Sequence, residues 1–218
     1  MKLTVYGCRG SVSCECAAHA RYGGNTACFK LETGEGALIL DAGSGLMRLD
    51  EELRRTMPDY PRLRSRPFDI LLSHLHFDHT IGLSTFTPVW EDSGVRVFTP
   101  RENPFGAFEP PWWPVSMPCY ATAGTVLVKP GEAFQAGGLS VAPFSASHSD
   151  GCLSFCITDG KKSLIYMLDF ELGPLPAKAF DALSDRCRGA DLIIFDASYH
   201  PDDYAPRRGW GHSTVLDG

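Results

Sequence analysis

Short blocks of alternating apolar and polar residues run along the chain, which predicts a β-rich fold with a few helices. Leu46, Leu49 and Leu53 recur at spacings of three and four residues, which predicts a helix over residues 44–56. A second helix is predicted over residues 176–188, with Pro176 in its first turn. The pattern alone indicates an α/β or α+β fold. Strands are predicted at 1–6, 26–33, 37–41, 68–73, 95–99, 125–129, 133–144, 152–158, 163–168 and 191–196, with a hairpin turn at Gly34-Glu35-Gly36.

Composition indicates the size of the hydrophobic core and the expected cellular compartment. The chain has 218 residues and 44% hydrophobic content, enough for one large core, so we expect a single domain over residues 1–218. Eight cysteines without a compact framework predict free thiols in a reducing cytoplasm. No apolar stretch is long enough to span a bilayer, and residues 1–6 are too short and polar for a signal peptide. We therefore expect a cytoplasmic protein with no membrane partner.

Residues 74–79 read His-Leu-His-Phe-Asp-His, which places three of the seven histidines and a carboxylate directly after an apolar run. Neutral imidazoles and carboxylates are the ligands that zinc, iron and manganese take from proteins. In an extended chain His74, His76 and Asp78 would share one face, because the side-chain period is two. His79 would point away unless the backbone turns after Asp78. The pattern favours a metal-binding loop over the alternative, a solvated loop rich in histidine.

His-x-His-x-Asp-His after a strand resembles the signature of the metallo-β-lactamase superfamily, and further motifs follow in the expected order. Asp41, at the end of a predicted strand, resembles the first motif. His148 and Asp169 resemble the third and fourth motifs. Residues 209–214, Gly-Trp-Gly-His-Ser-Thr, resemble an element of the phosphodiesterase branch, which includes the phosphoribosyl cyclic phosphodiesterases and the transfer-RNA 3′-processing endonuclease. The N-terminal segments 7–11 and 21–26 are similar to bacterial relatives of the former.

This resemblance implies an α+β fold, the αββα sandwich, in which two mixed β-sheets pack face to face with helices on the outside. It also implies a dinuclear site with two divalent ions, zinc first, with manganese or iron as alternatives. Asp41 would orient a ligand from outside the coordination sphere. His212 would stabilise phosphoryl charge and protonate the leaving oxygen, and we count it with Asp78 as a catalytic residue. The implied metal ligands are His74, His76, Asp78, His79, His148 and Asp169.

Each of these assignments has a simpler alternative. His148 could be an ordinary loop histidine, and Asp41 and Asp169 could serve only the turns after their strands. His212 lies six residues from the last residue given, where chain ends are often without a role. Relatives continue past this point with a helix and a last strand that carries one more histidine ligand. We therefore expect a domain that lacks those two elements, with residues 215–218 as the start of the helix; otherwise His200 or His212 substitutes, or the second metal site is incomplete.

Two further segments allow two interpretations each. Cys8, Cys14, Cys16 and His19 could hold a structural zinc, or they could be ordinary buried or loop side chains; the Cys-x-Cys spacing is unusual for zinc. The Pro-rich, aromatic segment 104–114 could form a wall over the site, or it could cover a sheet edge or a dimer interface.

The sequence as a whole predicts a metal-dependent hydrolase, a phosphodiesterase that cleaves a small cyclic or nucleotide-like phosphodiester with a metal-bound hydroxide. An RNA 3′-end endonuclease, a thioester or lactam hydrolase and a degenerate, non-catalytic metal-binding module are the alternatives. The net charge of −6 makes extended nucleic acid an unlikely partner, since binding it depends on basic surface. The family resemblance also allows a homodimer, since dimers are common among relatives, but the sequence does not determine the oligomeric state.

Overall fold

The computed structural model describes residues 1–17, 21–57, 60, 68–91, 94–117, 121, 123–149 and 151–218. These residues form two compact units, Met1–Val128 and Lys129–Gly218, and each unit contains its own β-sheet. None of the helices among the described residues is both long and apolar enough to cross a bilayer. The cysteines that the structure describes are free thiols, as expected.

The first unit is built on a six-stranded mixed sheet in the order β1-β2-β3-β4-β5-β6. Its first three strands are antiparallel neighbours, and β3 to β6 run parallel. The pairing of Leu31 with Leu38 confirms the hairpin predicted around Gly34-Glu35-Gly36. The strands are β1 (Lys2–Gly7), β2 (Cys28–Glu32), β3 (Ala37–Leu40), β4 (Asp69–Leu71), β5 (Arg96–Thr99) and β6 (Gly124–Leu127).

Three α-helices belong to this unit: α1 (Gly45–Thr56), α2 (Phe77–Thr80) and α3 (Thr87–Trp90). A 3₁₀ turn, Ile81–Ser84, follows α2. The helix α1 confirms the leucine periodicity, because Leu46, Leu49 and Leu53 are all buried in the unit's hydrophobic core. Burial of each leucine stabilises the fold by roughly 1.5–3 kcal/mol, which is why this helix was predictable from its pattern.

Asp50 is a polar residue on the buried side of α1 and links that helix to α3. Its carboxylate accepts hydrogen bonds from Arg54 Nε (2.7 Å), the Thr87 amide (3.2 Å) and the Tyr60 hydroxyl. We expect Asp50→Ala to lower the free energy of unfolding by about 2–4 kcal/mol, because buried donors lose their acceptor. Urea denaturation measures this. Glu51→Ala, at the exposed neighbouring position, is the control and should change stability by less than about 0.5 kcal/mol.

The second unit contains a five-stranded mixed sheet in the order β11-β10-β9-β8-β7. Only β10 and β11 are parallel. Helix α4 confirms the prediction for residues 176–188 to within a residue at each end. The elements are β7 (Phe134–Ala136), β8 (Leu139–Ser145), β9 (Leu153–Thr158), β10 (Ser163–Met167), α4 (Ala177–Cys187), β11 (Leu192–Phe195) and α5 (Pro201–Tyr204).

One local prediction for this unit was wrong. The single strand expected over residues 133–144 is a hairpin, because Gly137 and Gly138 adopt left-handed φ values of 56° and 75° and reverse the chain between β7 and β8. Residues 215–218 form a turn, and the side-chain contacts at its start are those with which helices begin. There the Asp217 carboxylate accepts the Thr214 amide at 2.7 Å and the Thr214 hydroxyl accepts the Leu216 amide at 3.3 Å, the reciprocal pattern of a capping box.

Candidate metal centre

The histidine-rich segment of the first unit begins where β4 ends. The chain stays extended as far as His76 (φ −61°, ψ 150°), and α2 then begins at Phe77. The expectation that extended chain continues through Asp78 was therefore wrong: the backbone turns before Asp78, not after it. Asp78 and His79 consequently lie on the first helical turn, where side chains no longer alternate between two faces.

This turn gathers three imidazoles and a carboxylate within the first unit. The His74 ring lies with its centroid 4.3 Å from that of His76 and 4.3 Å from that of His79. His79 Nε2 lies 3.6 Å from Asp78 Oδ2. His74 and His79 are buried, whereas His76 is exposed. The predicted ligands from residues 74–79 are thus neighbours in space as well as in sequence.

Asp41 and Ser73 contact the Nδ1 atoms of two of these rings, those of His79 and His74. The fully buried Asp41 carboxylate accepts hydrogen bonds from the Ser73 amide (2.7 Å) and hydroxyl, and it lies 2.9 Å from His79 Nδ1. The Ser73 hydroxyl lies 3.0 Å from His74 Nδ1. Engaging Nδ1 in this way directs Nε2 toward a metal, as the partners of metal-binding histidines do. The sequence pointed to Asp41; Ser73 was missed, although it directly precedes the first histidine.

The backbone after Asp41 fastens the same turn. The Ala42 amide donates to the His79 carbonyl at 2.8 Å, and the Gly82 amide donates to the Ala42 carbonyl at 2.8 Å. A β-carbon on Gly43 would lie only 2.2 Å from the Asp78 carbonyl oxygen. The Asp-Ala-Gly motif is therefore a clamp on α2 as well as the source of a carboxylate.

We expect Gly43→Ala to destabilise the first unit by about 1–3 kcal/mol or more, because its methyl group would meet the Asp78 carbonyl and the Thr26 hydroxyl at 2.2 and 2.4 Å. Metal affinity should fall with it, since the clash displaces Asp78. Thermal unfolding and metal titration measure both effects. Gly34→Ala is the matched control: an added methyl group there meets nothing within 4 Å. Equal behaviour of the two variants would contradict the clamp.

The N-terminal segment supplies one more contact to this cluster. The Ser11 amide donates a hydrogen bond to Asp78 Oδ2 at 2.7 Å, with Ser11 in the left-handed region at φ 63°. The sequence offered no sign of this contact, because the two residues are 67 positions apart. The thiols of Cys8, Cys14 and Cys16 do not converge as a group of ligands in the part of the chain that the structure describes, and His19 lies outside it.

In the second unit, His148 and Asp169 approach each other, with 3.6 Å between His148 Nε2 and Asp169 Oδ2. His148 Nδ1 donates to the Gly211 carbonyl at 2.8 Å. This bond fixes the proton on Nδ1 and leaves Nε2 as the nitrogen that could bind a metal. Gly211 has φ 89°, and a β-carbon there would lie 2.2 Å from His148 Nδ1, so only glycine fits.

His212 lies beside this pair. Its ring centroid is 5.0 Å from that of His148, and its Nδ1 lies 2.7 Å from Asp196 Oδ2. Asp196 is buried and also accepts the Phe170 amide (3.1 Å) and the Ser198 amide (2.8 Å). Donor atoms of Asp169, Asp196 and His212 lie within 4.8 Å of one another, so these residues could also hold a metal ion. Asp196 was missed in the sequence, although it follows a predicted buried strand as Asp41 and Asp169 do.

The remaining residues of the Gly-His-Ser-Thr element fix the loop to the unit. The fully buried Ser213 hydroxyl donates to the Phe170 carbonyl at 2.6 Å and accepts the Leu172 amide at 3.0 Å. Tyr199 and Thr214 form an isolated parallel β-bridge. The element thus places a histidine side chain next to Asp169 while its backbone holds His148.

His200 stands apart from this group. It precedes α5, where its Nδ1 accepts the Asp202 amide at 3.4 Å, and its side chain is 65% exposed. Among the described residues it is not a member of any group of potential metal ligands. His200 is thus a surface residue, and the alternative in which it substitutes as a metal ligand has no support among the described residues.

The aromatic segment 104–114 packs on the first unit. Phe105 and Phe108 are buried in its hydrophobic core, while Trp112 is 86% exposed. The Phe108 ring lies 6.2 Å from that of Phe77, the residue between His76 and Asp78. The segment therefore covers the core and also supports the metal-loop turn.

The donor chemistry of both units suits a divalent metal ion. Buried imidazoles with an engaged Nδ1, next to carboxylates, are the environment that zinc, iron or manganese requires. Exposed histidines such as His200 lack that buried setting. The groups in the two units are thus suited to metal binding rather than merely rich in polar residues.

Comparison with known proteins agrees with this chemistry. A family model described as a β-lactamase superfamily domain matches residues 37–218. Sequence comparison with curated proteins gives no significant match. Three solved structures are similar in fold: zinc-bound PqqB from Methylobacterium extorquens (TM-score 0.68, 20% identity, covering 97% of this chain and 78% of that one), a diphosphatase of the PhnP family (0.63, 18%, 98% and 78%) and the short form of human tRNase Z (0.64, 18%, 99% and 85%).

The family model includes the segments that carry Asp41, His74–His79, His148, Asp169 and His212, and the structural matches extend over both sheets. Members of this family are mostly metal-dependent hydrolases. With its two mixed sheets and helices, the chain has the metallo-β-lactamase fold and belongs to the β-lactamase superfamily.

Proposed function

We propose that the chain is a metal-dependent phosphodiesterase that cleaves a small cyclic or nucleotide-like phosphodiester. The observation that carries this proposal is the pair of His212 and a buried Asp196, 2.7 Å apart, held next to His148 and Asp169. Hydrolysis of a phosphodiester needs a proton for the leaving oxygen, and a histidine oriented by a carboxylate is suited to supply it. A lactam or thioester hydrolase has no evident use for this second histidine.

We also propose that the chain binds two divalent ions in a dinuclear site. Support comes from the family model, which spans both groups of donors, and from the zinc-bound structure similar to 97% of the chain. When bound, such ions would lower the pKa of coordinated water toward neutrality and balance phosphoryl charge. We favour zinc, with manganese or iron as alternatives. The proposed ligands are His74, His76, Asp78, His79, His148 and Asp169.

The protein's own groups then have distinct tasks. Asp41 and Ser73 orient the first unit's imidazoles, and the Gly211 carbonyl orients His148. Ser11 holds one carboxylate oxygen of Asp78 and leaves the other available as a ligand. With its Nδ1 proton bound to Asp196, His212 presents Nε2 to the substrate, where it can hold the proton that the leaving oxygen takes up.

An RNA 3′-end endonuclease is the second candidate, favoured by the similarity in fold to human tRNase Z over 99% of the chain. Against it stands the net charge of −6, since a long anionic substrate is bound by basic surface. A small phosphodiester needs less basic protein surface, because bound metal ions supply the positive charge that balances its phosphate.

The test is turnover of bis(p-nitrophenyl) phosphate and of 2′,3′- and 3′,5′-cyclic nucleotides by chelator-treated protein reloaded with zinc or manganese. We expect metal-dependent release of nitrophenol and opening of at least one cyclic substrate, with none in the chelated sample. Cleavage only of a precursor transfer RNA would favour the endonuclease, and cleavage only of a thioester or lactam would favour the other hydrolase classes. Metal-loaded protein inactive on all of them would be a binding module.

A further inference from the structure

Glu171 is a buried carboxylate two residues after Asp169 that no motif accounts for. Its Oε1 accepts hydrogen bonds from the Tyr204 hydroxyl (2.7 Å) and the Gly209 amide (2.7 Å), and its Oε2 accepts the Gly211 amide at 2.8 Å. Burial raises the pKa of this carboxyl, but the donors from Gly209, Tyr204 and Gly211 outweigh it and hold the pKa below its usual value. The group is therefore an ionised acceptor with both oxygens occupied.

The two glycines that Glu171 binds shape the loop that carries His212. Both adopt left-handed backbone conformations, with φ 88° at Gly209 and 89° at Gly211. Amides in such a turn point to its inner side and need an acceptor there, because a buried N–H without one costs about 1–3 kcal/mol. The carboxylate of Glu171 meets this need for both at once.

Through Gly211 the carboxylate acts on two histidines. Glu171 receives the amide of Gly211, the carbonyl of the same residue accepts the proton of His148 Nδ1 at 2.8 Å, and His212 is the next residue along the chain. The backbone of Glu171 also donates to the Ser147 carbonyl at 2.8 Å, directly before His148. Glu171 is thus hydrogen-bonded to Ser147, the residue before His148, and to Gly211, the residue before His212.

We propose that Glu171 is a positioning residue that sets the orientation of His148 and His212 together. This rests on the proposed function in so far as these two histidines serve metal binding and proton transfer. A buried carboxylate could instead simply satisfy nearby amides and stabilise the unit. The two roles predict different results when one carboxylate oxygen is replaced. Only in the positioning role do the orientations of the two histidines depend on the hydrogen bond between Oε2 and the Gly211 amide.

Glu171→Gln is the decisive variant. Glutamine keeps one acceptor oxygen, so in either orientation its amide group faces one of the two glycine N–H groups, that of Gly211 or that of Gly209, donor against donor. Either arrangement removes one of the hydrogen bonds that shape the loop carrying His212. We expect kcat on bis(p-nitrophenyl) phosphate to fall about 10–100-fold, as for other partners of metal-ligand histidines, with KM changed by less than about threefold. Tyr204→Phe is the matched control: it removes a donor from the same carboxylate but leaves both glycine bonds, so kcat should stay within about twofold.

Histidine-labelled NMR separates positioning from stability and from the proposed function. The ring signals of His148 and His212 should shift in Glu171→Gln and stay unchanged in Tyr204→Phe, in protein with or without activity. Unchanged ring signals and kcat in Glu171→Gln would overturn the proposal. Wild-type protein that turns over no phosphodiester, while its ring signals respond as expected, would overturn the proposed function alone. Should Glu171→Gln fail to fold, amide exchange in the wild type decides: Gly209 and Gly211 amides that exchange without protection would sink the assignment.

Discussion

Replacement of either His76 or His148 by alanine will abolish phosphodiester hydrolysis, although the two residues lie in different compact units. Each is a proposed ligand of the same pair of ions. Loss of a ligand removes several kcal/mol of stabilisation from the transition state, and about 4 kcal/mol corresponds to a fall of roughly 10³-fold in kcat/KM. Neither residue belongs to a hydrophobic core among the described residues. His76 is exposed, and the buried His148 ring contacts His212 and the Gly211 carbonyl, so both variants should fold.

The measurements are metal content per chain, by elemental analysis after dialysis, and turnover of bis(p-nitrophenyl) phosphate. Both alanine variants should lose bound metal relative to the wild type. His200→Ala, which removes an exposed histidine of the second unit, is the control and should keep both metal and rate. If His148→Ala retains full metal content and activity while His76→Ala loses both, the second unit contributes no ligand and the shared site is wrong.

Helices and strands with regular apolar spacing were predictable from the chain, whereas two turns of the backbone were missed. The three leucines of α1 face one core, so their period is visible in the sequence. Gly137 and Gly138 lie between two strand-like segments, and a Gly-Gly pair in that position is a hairpin signal that the prediction of one long strand overlooked. The start of α2 at Phe77, by contrast, could not be predicted from the sequence. The hydrogen bonds that hold this turn, from the Ala42 amide to His79 and from the Gly82 amide to Ala42, form only in the folded chain.

Within the candidate site, the residues with metal-ligand chemistry were recognisable, but their supporting partners were not. Imidazoles and carboxylates in a known order identify themselves by type and spacing. Ser11 contacts Asp78 from 67 positions away, and the Gly211 carbonyl contacts His148 from 63 positions away. Glu171 and Asp196 are acidic residues like many others in the chain until the fold shows which amides they accept. Such contacts are set by tertiary structure and leave no local pattern.

One topological feature could nevertheless have identified part of this support. Asp41 and Ser73 follow the parallel neighbours β3 and β4, and they hydrogen-bond at 2.7 Å. Asp169 and Asp196 follow the parallel neighbours β10 and β11, and they belong to one group of potential ligands. Because the carboxyl ends of parallel strands meet at one edge of a sheet, polar residues just after such strands come together. A polar residue after each buried strand is thus a signal that sequence reasoning can use.

The largest effect expected without loss of metal concerns His212. We expect His212→Ala to reduce kcat on a cyclic nucleotide by about 10²–10⁴-fold, the range for loss of a general acid, because the leaving oxygen then takes its proton from water. Asp196→Asn should reduce kcat in the same direction but less. An oxygen that remains in the Oδ2 position can still accept from both the Phe170 amide and His212 Nδ1, but the amide group that replaces Oδ1 then faces the Ser198 amide, donor against donor, and the negative charge beside His212 is lost.

Substrates with different leaving groups test whether His212 donates this proton. A substrate whose leaving group is p-nitrophenol needs little protonation, whereas an alkoxide leaving group needs it fully. The ratio of wild-type to His212→Ala rates should therefore be small for bis(p-nitrophenyl) phosphate and large for a cyclic nucleotide, with metal content unchanged. Equal ratios for both substrates would exclude proton donation by His212. Loss of metal in the variant would instead make His212 a ligand, together with Asp169 and Asp196.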